Sequence, residues 1–157
     1  MAPIVATKGS WRSESGAELI EFALTFPLLL LVVFGIVDFG LLFQKYEVVT
    51  NAAREGARIA VLPDYQASAL ASAQARVEQY LSAANLKDAH PPATLDFVTL
   101  DLGAGLPQAC GYKVTVTYPH NFFYVGGIAS YFGASFGTSS VTSASTMRVE
   151  GPPGPCP

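Results

Sequence analysis

The sequence predicts an α+β protein: a long N-terminal helix that crosses a membrane and runs on into an extracytoplasmic domain, where a second helix packs with a small antiparallel sheet of about three strands. Three observations carry this reading. An apolar run from Phe22 to Phe43 is long enough to cross a hydrocarbon layer of roughly 30 Å as a helix of about 20 residues. Helical periodicity then persists to a break at Leu62-Pro63-Asp64 and resumes after it. Beyond Pro91-Pro92 the apolar period changes from that of a helix to two, most clearly where Tyr112, Val114, Val116 and Tyr118 alternate with Lys113, Thr115 and Thr117. With 157 residues, 50% of them hydrophobic, the chain has room for this anchor and one modest soluble domain.

Residues 1–14 hold Pro, Gly, Ser and the leader cations Lys8 and Arg12 without an apolar face, and read as a flexible leader. Those cations favour a cytoplasmic N-terminus. The pattern Ser15-x-x-Glu18 fits a capping box at the start of the helix. The apolar run exceeds the core of a secretory signal peptide, and no small-x-small cleavage site follows it, so the span reads as an uncleaved anchor. Inside it, Pro27 cannot donate to the carbonyl of Ala23, which predicts a kink unless Thr25 or a neighbouring helix compensates. Gly35 and Gly40 permit close helix contact. Two acids stand out. Glu21 sits at the entrance of the span, where a carboxylate needs the interface, a helix N-terminus or a positive partner. Asp38 lies roughly 24 Å beyond Phe22, a depth from which its carboxylate is expected to snorkel to the far headgroups.

Past the span, Val48, Ala52, Gly56 and Ile59 share one side of the helix, and Glu47, Asn51, Arg54 and Arg58 the other, so the anchor projects as one rod. Leu62-Pro63-Asp64 ends it and offers an N-cap to a second helix with an apolar stripe of Leu70, Ala73, Val77, Leu81 and Ala84. Leu95–Leu102 and Val141–Glu150 are expected to be the other strands. No formal charge occurs between Lys113 and Arg148, where Phe122, Phe123, Tyr124, Tyr131, Phe132 and Phe136 crowd a stretch whose Gly126-Gly127 and Gly133 argue against a continuous helix. That stretch is domain core, a contact surface or a membrane contact. In a translocated domain, Cys110 and Cys156 form a candidate disulfide that ties the Gly/Pro-rich tail 151–157 to the domain, a constraint of roughly 3 kcal/mol on the unfolded chain.

Gly16-Ala17-Glu18-Leu19-Ile20-Glu21-Phe22 followed by an apolar helix resembles the processing site of type IV prepilins. The resemblance narrows to TadE-like minor pilins or pseudopilins of Tad (tight adherence) pili through the proline in Glu21-Phe22-Ala23-Leu24-Thr25-Phe26-Pro27, the block Asn51-Ala52-Ala53-Arg54-Glu55-Gly56-Ala57-Arg58, and Ser143-Ala144-Ser145-Thr146-Met147-Arg148-Val149-Glu150. It implies cleavage between Gly16 and Ala17 by a membrane prepilin peptidase, which makes Glu21 the fifth mature residue. It also implies a prepilin leader 1–16, a transmembrane and projecting helix 17–62, a pilin-like domain 63–150 and the tail 151–157. The implied setting is a bacterial inner membrane, with other pilins and pseudopilins, the peptidase, an assembly platform and membrane lipid as partners. The implied role is initiation, capping or other assembly of the pilus.

The residues give that role a physical basis. A cleaved Ala17 would carry a positive amine one helical turn from Glu21, and the pair can neutralise each other within or between subunits. Without such a partner, Glu21 serves only the helix dipole. Arg54, Glu55, Gly56 and Arg58 read either as a solvated face with a weak Glu55–Arg58 pair, or as a packing block in which Gly56 lets the sheet or another pilin come close. The alternative function is a membrane-tethered extracytoplasmic binding domain that uses the aromatic stretch to hold a ligand.

Other classes fit poorly. A net charge of −3 with scattered basic residues lacks the positive stripe of a nucleic-acid binder. Gly133-Ala134-Ser135-Phe136-Gly137 matches the pattern of a nucleophile elbow, yet both histidines, His90 and His120, precede the serine, and the domain is too small for the hydrolase sheet. The histidines have no ligands at metal spacing and read as loop or core residues. Phosphate-binding glycine loops are absent. The chain is therefore expected to have no enzymatic activity, no metal and no cofactor.

Overall fold

The computed structural model describes residues 14–101, 103, 108–131, 133 and 138–149. A single helix, α1 (Glu14–Ala60), runs for 47 residues. It includes Ser15, which therefore does not stand at an N-cap position. The helix passes through Pro27 unbroken, while the Thr25 hydroxyl donates to the Glu21 carbonyl at 2.9 Å and lies 3.4 Å from that of Phe22. The carbonyls the hydroxyl meets lie on the turn before Pro27, where helix bonding is weakest.

After α1, a short 3-10 turn (Pro63–Ser68) leads into α2 (Ala69–Ala83). Asp64 lies inside that turn: Leu62 occupies its N-cap position, Ser68 occupies that of α2, and neither makes a side-chain cap bond. Pro63 instead opens the turn at a position where its missing amide costs nothing. The buried stripe of α2 is Ala69, Ala73, Val77 and Leu81, whereas Leu70 and Ala84 are exposed. At its C-terminus Asn85 adopts φ 61°, and the amides of Asn85 and Leu86 donate to the carbonyls of Ser82 and Leu81. This Schellman arrangement satisfies two of the last carbonyls and turns the chain back toward the sheet.

The sheet contains β1 (Thr94–Leu100), β2 (Ala109–His120) and β3 (Ser139–Arg148), antiparallel in the order β1-β2-β3. Between β2 and β3 lies a further helix, α3 (Tyr124–Tyr131). Register places Leu95 opposite Val114, Phe97 opposite Tyr112, Val141 opposite Tyr118 and Met147 opposite Tyr112. Val114, Val116, Tyr118 and His120 thus share one face of β2, and all four are buried. The α+β expectation and the three strands hold.

Two regimes divide α1. Its first half leaves Leu19, Phe22, Leu24, Leu28, Ile36 and Phe39 exposed. Its second half places Val49, Ala52, Ala53, Ala57 and Ala60 in the core with Val77, Leu81, Val114, Val116 and Tyr118. Small side chains set the spacing. A Cβ built on Gly56 would lie 2.8 Å from Val77 Cγ2 and 3.3 Å from Val114 Cγ1, so α2 and β2 both come close to the α1 backbone there. Gly56→Leu is expected to lower stability by about 3 kcal/mol through overpacking, measured by thermal unfolding of the detergent-solubilised chain.

Candidate functional site

The first turns of α1 hold the residues tied to processing. Gly16, Ala17, Glu18 and Glu21 are exposed. Glu21 therefore carries its charge on the outside of a stem whose neighbours Leu19, Ile20 and Phe22 are also open. Among the described residues, this is the one helix long and apolar enough to cross a membrane, with a mean hydropathy of 2.5 and 6% of its apolar window buried. Added Cβ atoms at Gly16, Gly35 and Gly40 would meet nothing within 4 Å. The stem thus keeps flat, unoccupied stretches against which another helix can lie.

Asp38 does not snorkel. It is 1% exposed, and its Oδ2 accepts the backbone amides of Tyr124 at 3.0 Å and Val125 at 2.7 Å. The carboxylate caps the N-terminus of α3, where free amides and the helix dipole both favour an anion. The glycine pair Gly126-Gly127 does not prevent this helix, because the cap and packing against α1 supply what propensity withholds. Phe34 stacks on Tyr124 at 5.1 Å, and Phe39 meets Phe122 edge-on at 5.9 Å. The aromatic stretch, expected to hold no continuous helix, includes this short helix clasped to α1.

Just above Asp38 the sheet closes over charged groups. Tyr118, fully buried, accepts the Asp88 amide on its hydroxyl at 2.8 Å and stacks against His90 at 5.1 Å. Burial raises its pKa. Lys45 sits 5.4 Å from the Tyr118 ring centre and 3.5 Å from the Asp88 carboxylate. His90 Nε2 lies 3.5 Å from Glu78. His120, 2% exposed, meets Phe122 edge-on at 4.8 Å. Its pKa is lowered, first by burial and then by Lys45, with Asp38 opposing.

The Arg54 to Arg58 block divides by face. Glu55 Oε2 pairs with Arg76 Nη2 of α2 at 3.2 Å, and not with Arg58 as one of the two readings of the block has it. Gly56 packs within the domain, while Arg54 and Arg58 remain exposed. Cys110 is disulfide-bonded at the start of β2, and Cys156 lies outside the described residues. Ser135 lies outside them as well. No group of three or more His, Cys, Asp or Glu among the described residues is placed to hold a metal.

A family model described as TadE-like protein matches residues 16–58, the segment that runs from the exposed stem to the Arg54 block. Over those residues the chain is similar to TadE-like proteins. That similarity points to a pilin-like family of Tad pilus systems, and the apolar helix suits a single-pass anchor. The match stops within α1, so the sheet, α2 and α3 lie outside it. No curated protein and no solved structure matches the chain.

Sequence reasoning missed the pairing of Asp38 with α3, since the two are separated by 86 and 87 positions. The available signal was an acid within an apolar run, which needs internal partners. Asp38→Ala is expected to cost about 1 to 2 kcal/mol of local stability and to speed hydrogen exchange at the Tyr124 and Val125 amides, with Asp38→Asn milder. For His120, a lowered folded-state pKa means that the unfolded chain binds the proton more readily. Stability is then full above about pH 6.5 and falls as pH drops toward the folded value, by up to about 1.4 kcal/mol per pH unit. Thermal unfolding between pH 7 and 5 checks this: His120→Phe should flatten that part of the dependence.

Proposed function

We propose that this TadE-like protein is a minor pilin or pseudopilin that takes part in initiating, capping or otherwise assembling a Tad-type adhesion pilus, after a prepilin peptidase cuts between Gly16 and Ala17. One observation carries the reading: Glu21 and the apolar half of α1 are exposed together, directly after the Gly16-Ala17 bond. Cleavage there creates an amine one turn from Glu21. In lipid, an isolated carboxylate is costly, and a positive terminus on the same or a neighbouring subunit relieves that cost. Subunits thereby gain a reason to align at one height before extraction by an assembly platform in the inner membrane. Gly35 and Gly40, open on the same stem, suit close packing against a neighbouring pilin helix. Arg54 and Arg58 supply a cationic face above it.

The Lys8 and Arg12 leader supports a cytoplasmic N-terminus, with the sheet on the other side of the membrane. Mass spectrometry of the protein from its native membrane is expected to give an N-terminus at Ala17, and an intact Met1 would refute the processing step. Glu21→Ala is expected to reduce pilus number sharply with the protein still present in the membrane. Unchanged piliation would instead favour a plain tethered binding domain.

A further inference from the structure

We propose that residues 122–131 form a second, interfacial membrane contact: α3 lies in the leaflet nearer the sheet, with Phe123 and Tyr124 against lipid. The inference rests on the anchor reading of α1 and adds a membrane-facing element outside the family match.

Depth is the first argument. If the apolar run starts at Phe22, the rise of 1.5 Å per residue puts Phe34 roughly 18 Å and Asp38 roughly 24 Å into a layer of about 30 Å. Phe34, Asp38 and Phe39 are the residues of α1 that hold Tyr124, Val125 and Phe122. Whatever covers α1 at that height also meets α3. The next formal charges along α1, Lys45 and Glu47, come only after the apolar run ends.

Surface chemistry is the second. Phe123 is 77% exposed and Tyr124 38%, and no Asp, Glu, Lys or Arg occurs between Lys113 and Arg148. Ile36 and Phe39 of α1, on either side of Asp38, are exposed apolar side chains as well. Aromatic side chains with one polar tip concentrate at this boundary of a bilayer, and a helix lying in it buries its apolar side by about 5 to 10 Å.

The third argument concerns the backbone. At a depth poor in water, amides need partners within the protein. Asp38 accepts two amides at the start of α3, the Gly127 amide donates to the Phe123 carbonyl, and the Ser130 hydroxyl donates to the Gly127 carbonyl. At a helix end in water the solvent can also serve such amides, whereas at a water-poor depth the carboxylate has to. An acid inside an apolar run thus acquires a purpose: it lets a helix with two adjacent glycines enter the interface.

The test uses the full chain in vesicles of phosphatidylcholine and phosphatidylglycerol, with Trp11→Phe to remove the native tryptophan, and single reporters Phe123→Trp or Val32→Trp. Lipids brominated at shallow or deep acyl positions then report depth. Trp at 123 is expected to show blue-shifted emission and to lose more of it to shallow than to deep bromines, at all protein-to-lipid ratios. Trp at 32 should lose more to deep bromines. Quenching at 32 with none at 123, or protection at 123 that appears only at high protein density, overturns the proposal, the latter in favour of a second copy of the chain. Absence of quenching at 32 overturns the anchor reading, and the proposal with it.

Discussion

One helix has to satisfy two solvents, and the changeover is made at Asp38. Below it, α1 presents large apolar side chains that nothing in the described chain covers. Above it Phe39, Leu41, Phe43 and Tyr46 are still exposed, and from Val49 onward the same helix narrows to alanine, glycine and valine and becomes the floor of the domain. A buried carboxylate at the boundary is tolerable only because two backbone amides of α3 reach it. The bond fixes α3 against α1, and α3 in turn fixes where β2 ends and where the chain sets out toward β3. Lys45, Asp88, Tyr118 and His120 gather in the same zone, so the polar machinery of the fold is concentrated where the stem enters the domain.

Higher up, close packing replaces polar contact. Gly56 brings Val77 of α2 and Val114 of β2 against one turn of α1, and the Glu55–Arg76 pair ties α1 to α2 at the edge of that contact. Its side chains are partly exposed, so the pair orients more than it stabilises. Half of the block that resembles TadE-like proteins is therefore spent on the protein's own domain. Arg54 and Arg58, on the opposite face, are what that block leaves for other molecules.

A stem that is apolar, exposed and studded with open glycines is unfinished as a monomer in water. Burial of each large side chain along it is worth about 1.5 to 3 kcal/mol, a gain the domain itself does not supply. Lipid provides it in the membrane, and neighbouring helices can provide it in an assembly. In the proposed pilin role this incompleteness has a use, because partners that cover the stem would stabilise it.

Sequence alone determined the long apolar helix, the break near Pro63, the α2 stripe through Ala73, Val77 and Leu81, and the alternation that becomes β2. Each of these is a periodic signal, legible because a helix or strand repeats its environment every few residues. Tertiary structure alone decided that Asp38 is a cap, that Glu55 reaches Arg76 in place of Arg58, that Leu70 lies outside the core, and that residues 124–131 are helical. Those outcomes depend on groups far apart in the chain meeting across packed elements, and neither propensity nor period carries information about a partner 21 or 86 positions away.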